Sequence, residues 1–147
     1  MHMGMQRGVE FMFSWSENYA TGIQEIDKQH RKLVSIGAKL EDMLGTGDSV
    51  DYYDYILETL DELKDYTEYH FGYEEKKMEE CKYENFEQHR MEHMYFVKRI
   101  NKLSMEDIDS HQLGVITQTL NFLAKWLFSH ILNEDKKYVH CILGNKE

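Results

Sequence analysis

No proline occurs in the 147 residues, and cysteine appears only twice, as Cys81 and Cys141. Without proline nothing forces a helix to kink or stop, so an all-α chain is the first expectation. Two cysteines are too few for a disulfide scaffold. Reduced thiols in a cytoplasm are the default reading, with a bond between the two left open. The start, MHMGMQRGVEFMFSW, has no basic region followed by an apolar core and so does not read as a signal peptide. No run reaches the roughly 18 apolar residues of a membrane-spanning helix. Positive charge is also scarce, 17 Lys and Arg against 27 Asp and Glu for a net −10. That balance argues against nucleic acid and anionic membrane surfaces as partners.

The chain is 41% hydrophobic and 30% charged, and its length suits one domain over residues 1–147. Residues 1–20 read as an N-terminal arm whose aromatics Phe11, Phe13 and Trp15 lie on the domain. Met12 is a candidate natural start, which leaves residues 1–11 as either an added remnant or a short extension.

Apolar residues recur at alternating steps of three and four in four segments. The first runs Ile23, Ile26, His30, Leu33, Gly37, Leu40, Leu44 and stops at the glycine turn 45–48, which can hold the helix C-cap. The second runs Tyr53, Ile56, Leu60, Leu63, Thr67, His70, Glu74, with Asp48 or Ser49 as N-cap and an end near Cys81. The third runs Phe86, His89, His93, Phe96, Ile100, Leu103. The fourth runs Leu113, Ile116, Leu120, Leu123, Leu127, His130 and starts after Asp109 or Ser110. Four such helices with short connections predict an up-down-up-down antiparallel four-helix bundle with a short C-terminal helix.

Five histidines and one glutamate sit on those apolar seams. A lone seam histidine is most simply a satisfied core residue, but a buried glutamate is costly unless paired or bound to metal. His70 and Glu74 are four apart, as are His89 and His93, so each pair points from one helix face to one place. Position along the helices adds a second test. His30 lies near the start of the first helix, His70 and Glu74 near the end of the second, His89 and His93 near the start of the third, and His130 near the end of the fourth. In an up-down-up-down bundle these four ends coincide.

Five imidazoles and a carboxylate exceed the four ligands of a structural zinc. The mixture suits iron, or less specifically manganese, zinc or copper, and the ligand count favours two metals. A second, bridging carboxylate is then needed. Asp135 is the candidate, but it lies five residues after His130. On a continuous α-helix five residues turn about 500°, which aims it about 140° away from the histidine. The expectation is therefore that helix four is interrupted between about residues 131 and 135: it stops near Leu132, Asn133 caps a short following helix, and Asp135 swings back from its first turn.

The combination IDKQH (26–30), HFGYEE (70–75), HRMEH (89–93) and WLFSHILNED (126–135) resembles the hemerythrin family, specifically its single-domain bacterial members, over about residues 12–140. The resemblance implies a non-haem di-iron centre. His89, His93 and His130 would bind one iron and His30 and His70 the other, with Glu74, Asp135 and an oxo or hydroxo group bridging them. It implies reversible dioxygen binding at the open position of the second iron, for storage, delivery or scavenging, with no specified electron donor. Leu33, Phe71, Trp126 and Leu127 would wall the oxygen pocket. Alternatives are a di-iron peroxidase or nitric oxide reductase, and an oxygen sensor acting through a separate partner.

Against an enzyme, no Glu stands three residues before any ligand histidine, as it does in ferritin-like oxidases, and no proton donor is evident in the expected pocket. Tyr138 packs near the site or caps the last helix. Glu75 is solvated or bridges to a neighbouring helix. His2, His111 and His140 read as surface residues, and Met78 and Met91 as core or boundary packing.

Overall fold

The computed structural model describes residues 12–45, 51–105, 108 and 111–144. A short 3₁₀ turn, Glu17–Tyr19, precedes α1 (Gln24–Leu44), α2 (Tyr53–Glu80), α3 (Phe86–Ser104), α4 (Gln112–His130), a π-helical turn (Ile131–Asp135) and α5 (Lys136–Gly144). The described residues contain no strand. Helices α1 to α4 form the expected bundle, α1 packing on α2 and α4, and α3 on α2 and α4.

The seams are where the periodicity puts them. Ile26, Leu33, Leu40, Ile56, Leu60, Leu63, Phe96, Ile100, Ile116, Leu120, Leu123 and Leu127 are all buried. The core has two parts. The larger one takes Leu33, Phe71, Phe96 and Leu127, while a small one is built on Ile26, Met78 and Tyr138. In α1, α2 and α3 the seam histidines lie between residues of these two clusters, while His130 is flanked by Leu127 and Ile131 of the larger one, so apolar side chains border the histidines along each helix.

Several ends differ from the sequence expectation. Gly45 does cap α1, donating its N–H to Asp42 O at 3.1 Å, but in the right-handed region at φ −64°. The expected caps Asp48, Ser49, Asp109 and Ser110 lie outside the described residues. Helix α2 begins later, at Tyr53, whose N–H donates to Asp51 Oδ1 at 3.0 Å. It ends in a Schellman arrangement: Tyr83 N–H reaches Met78 O at 2.9 Å, and Lys82 takes a left-handed φ of 59°.

The arm lies on the bundle as expected for Phe13 and Trp15; Phe11 and His2 are outside the described residues. Phe13 is buried against Gly37, where any Cβ would collide with the ring, which explains a glycine on an apolar seam. Met12 and Phe13 donate their N–H groups to the Glu41 carboxylate at 2.6 and 3.0 Å. The turn into α1 is tied by Asp27, which accepts from Thr21 N and Oγ1, both at 2.7 Å, and from Gly22 N at 3.1 Å. Gly22 has φ +88°, where a glycine is needed.

The expectation of two free thiols is overturned. Cys81, just past α2, and Cys141, in α5, are joined as a disulfide with Cα atoms 5.8 Å apart. Sixty residues separate them in the chain, so only the packing of α5 back on the end of α2 reveals the pairing. Met78 is buried as expected, but Met91 is 63% exposed, because α3 turns that side to solvent.

Candidate metal centre

His30, His70, Glu74, His89, His93, His130 and Asp135 meet at one level of the bundle, and all seven are buried. Their ligand-type atoms fall into two overlapping groups, each spanning no more than 4.8 Å: Glu74, His89, His93, His130 and Asp135 in one, and His30, His70, Glu74 and Asp135 in the other. The two carboxylates share their oxygens between the histidine sets. Glu74 Oε1 lies 3.1 Å from His93 Nε2, while its Oε2 lies 3.3 and 3.2 Å from His30 and His70 Nε2. Asp135 Oδ1 lies 3.0 Å from both His89 and His130 Nε2, while its Oδ2 lies 3.0 Å from His30 Nε2.

Several of these contacts are short without being hydrogen bonds. Glu74 Oε1, His93 Nε2 and Asp135 Oδ1 are buried and lack any hydrogen-bond partner. Nε2 of His89 and His130 are 2.9 Å apart. Buried polar atoms are normally satisfied. Imidazole and carboxylate lone pairs aimed at common points are what cations satisfy, so the donor set fits metal, and its 3 + 2 histidine division fits two.

The outer nitrogens are held as well. His93 Nδ1 donates to Glu75 Oε2 at 2.8 Å and His130 Nδ1 to Glu92 Oε1 at 2.9 Å. His70 Nδ1 donates to Gln29 Oε1 at 2.7 Å, and Gln29 Nε2 donates to Glu25 Oε2 at 3.0 Å. Such bonds fix the tautomer and leave Nε2 free as a ligand. Glu75 therefore bridges to α3, the second of its two sequence readings. Gln29 and Glu92 were missed, although each is adjacent to a site histidine or in the HRMEH run. Neither follows the ligand spacing, and their partners lie on other helices.

The α-helix is interrupted over Ile131–Asp135, where the five-residue spacing asks for it, but by a different device from the one expected. Helix four does not end at an Asn133 cap. Asn133 instead donates its side-chain amide to Ser129 Oγ at 3.2 Å. The chain passes from α4 through the π-helical turn Ile131–Asp135 into α5. A π turn closes i→i+5 instead of i→i+4, so its extra residue brings the fifth position onto the face the fourth would hold. Asp135, 1% exposed, thereby joins His130.

Tyr138 is fully buried and donates its hydroxyl to Glu74 Oε2 at 2.6 Å. The centre thus has an O–H donor, contrary to the sequence reading. Phe71 stacks on His93 with centroids 3.9 Å apart, and its ring is 5.8 Å from that of His70. Trp126 stacks on His130 at 4.2 Å, on the three-histidine side. Leu33 and Leu127 are buried in the larger core. Among the other histidines, His111 and His140 are both exposed, as expected.

Charge explains how the metal-free protein tolerates this cluster. Burial pulls the His30 pKa down, but Asp135 and Glu74 outweigh it and hold the pKa near 10. His93 is likewise held near 9 by Glu74 and Glu75 against its burial. Glu74, despite burial, is held well below the usual carboxylate range by His70, His30 and His93. Asp135 is also lowered, by His130 and His30 against burial and the Glu74 charge. Protons stand in for cations.

A pH dependence follows for the chelated protein. Raised histidine pKa values contribute stability that is complete below the unfolded value of 6.5 and lost as pH climbs through about 9 and 10. The lowered carboxylates contribute above their ordinary 4.5 and 3.8 and lose that contribution as pH falls. Thermal unfolding of chelated protein should therefore show stability declining from pH 6.5 to about 10. Affinity for added metal should rise over the same window as ligand atoms lose protons. A flat melting curve there contradicts this.

The comparisons with known proteins agree with the geometry. The sequence family described as the hemerythrin HHE cation binding domain matches residues 21–142. A bacteriohemerythrin from Clostridium acetobutylicum is 36% identical over 128 residues, 87% of this chain and 99% of that protein. One from Pseudomonas aeruginosa is 32% identical, over 87% of this chain and 80% of that protein. The hemerythrin subunit alpha of Lingula anatina is 30% identical over 86% of this chain and 92% of its own. No helix among the described residues is long and apolar enough to cross a membrane. With its seven clustered donors on a four-helix bundle and a family match from Thr21 to Ile142, this chain belongs to the hemerythrin family.

Proposed function

We propose that the chain binds dioxygen reversibly at two non-haem irons. His89, His93 and His130 hold one, His30 and His70 hold the other, and Glu74 and Asp135 bridge both. The observation that carries this is the division of each carboxylate's two oxygens between the two histidine sets. When bound, the iron pair would supply the redox chemistry that dioxygen binding needs. The chain's own residues keep that exchange reversible. Leu33, Phe71 and Leu127 form an apolar wall that excludes water, and Trp126, packed edge-on against Phe71, covers His130.

Tyr138 is the one feature favouring a peroxidase, since its hydroxyl points at Glu74 Oε2. Its acidity supports the carrier reading. Burial, and then the charges of Glu74 and Asp135, push its pKa well above 10. A hydroxyl that holds its proton so firmly orients Glu74 by hydrogen bonding and is a poor acid for turnover. Iron-loaded protein should contain about two irons per chain and show a visible charge-transfer band that forms under oxygen and disappears under argon over repeated cycles. Oxidation within seconds that cannot be cycled defeats the carrier reading, and one zinc per chain in native protein defeats the iron assignment.

A further inference from the structure

The hydrogen bonds behind the histidines are unequal on the two sides of the centre. On the three-histidine side, His93 and His130 each pass Nδ1–H to a carboxylate, Glu75 and Glu92, at 2.8 and 2.9 Å. On the two-histidine side no carboxylate is used. His70 passes Nδ1–H to the amide oxygen of Gln29 at 2.7 Å, and His30 Nδ1 is buried with no partner. A carboxylate acceptor draws the N–H proton towards itself and makes the imidazole a stronger donor through Nε2, whereas a neutral amide oxygen does this weakly.

Gln29 is well suited to hold this difference. It is fully buried, and its Nε2 donates to Glu25 Oε2 at 3.0 Å, which turns its oxygen towards His70. His70 is thereby kept with its proton on Nδ1 and its Nε2 lone pair facing Glu74 Oε2, 3.2 Å away. A glutamate at position 29 would be nearly the same shape but would place its charge on His70, and it would face the Glu25 carboxylate. The sequence therefore puts the negative charge one turn further out and leaves an uncharged acceptor against the ligand.

We infer that Gln29 is a positioning residue that makes the His30–His70 position the weaker-donating of the two, favouring the reduced metal there; the inference rests on the two-iron reading above. Weaker donation stabilises the less highly charged ion. An uncharged acceptor behind His70 would favour the reduced state of a metal held there, and the carboxylates behind His93 and His130 would make those histidines the stronger donors.

The test exchanges the two side chains, Glu25→Gln with Gln29→Glu. The composition, net charge and hydrogen bond between positions 25 and 29 are all kept, and only the carboxylate moves onto His70. Unsubstituted and exchanged proteins are loaded with ferrous iron without oxygen, their iron is counted, and their reduction is titrated against mediators. Both should hold two irons. The exchanged protein should show a reduced-to-oxidised ratio at fixed potential at least tenfold lower, 59 mV for one electron, and slower loss of its more labile iron to a chelator by about tenfold. Gln29→Leu, which removes the acceptor, should move both readouts the other way and serves as the readout if the exchange does not fold. Two irons with unchanged potential and unchanged release overturn the role of Gln29 and leave the two-iron reading standing. Fewer than two irons in the unsubstituted protein overturn that reading first.

Discussion

Asp135→Ala should empty the centre, lowering iron from about two per chain to below one after desalting. Asp135 Oδ1 faces His89 and His130 and Oδ2 faces His30, all at 3.0 Å, so in the proposed centre one side chain would serve both metal positions. Its removal would leave five imidazoles facing the two proposed cations, with Glu74 as the one remaining carboxylate among the seven. Loss of one partner from a buried charge pair costs about 3–5 kcal/mol, which corresponds to a loss of affinity of roughly two to nearly four orders of magnitude. The fold should survive, because Asp135 is not part of either apolar cluster. Metal analysis alongside far-ultraviolet circular dichroism separates the two effects, and two irons retained in a folded variant would refute the bridging role.

Opening the Cys81–Cys141 bond should lower the melting temperature of the metal-free protein by about 10 °C. The bond closes a loop spanning 60 residues. In the chain-entropy account that constraint on the unfolded state contributes about 4 kcal/mol, and in a domain of this size each kcal/mol is about 2–4 °C. Helix α5 should loosen first, since its only fully buried anchor is Tyr138, in the small cluster with Ile26 and Met78. Melting with and without a dithiol reductant, compared with a Cys81→Ser, Cys141→Ser double variant, provides the check. Matching melting temperatures in all three would show that packing alone holds α5.

The donors themselves were readable because each obeys a local rule. His30, His70, Glu74, His89, His93 and His130 interrupt apolar seams whose three-and-four spacing sets which face of a helix they occupy. Their positions near alternate helix ends, together with short connections, bring them to one level without knowledge of how the helices tilt. Burial of all of them follows from the same periodicity. Asp135 was readable only as a need, since a bridging carboxylate was missing and its spacing broke the rule. The π turn that satisfies it leaves no periodic signal, because it replaces one α turn by a wider one and both neighbouring helices keep their own register.

What the sequence determined by itself is therefore the set of elements that depend on near neighbours: four amphipathic helices, the face each buries, the histidines and the glutamate on those faces, and the end of the bundle where they gather. Tertiary structure decided everything that depends on how one helix is rotated against another. Gln29 meeting His70, Glu75 meeting His93, Glu92 meeting His130, Tyr138 meeting Glu74 and Cys81 meeting Cys141 are all contacts between different elements. Periodicity places a residue on a face to within a turn, but a hydrogen bond needs its partner within about 3 Å and correctly aimed. Only the packed bundle supplies that distance.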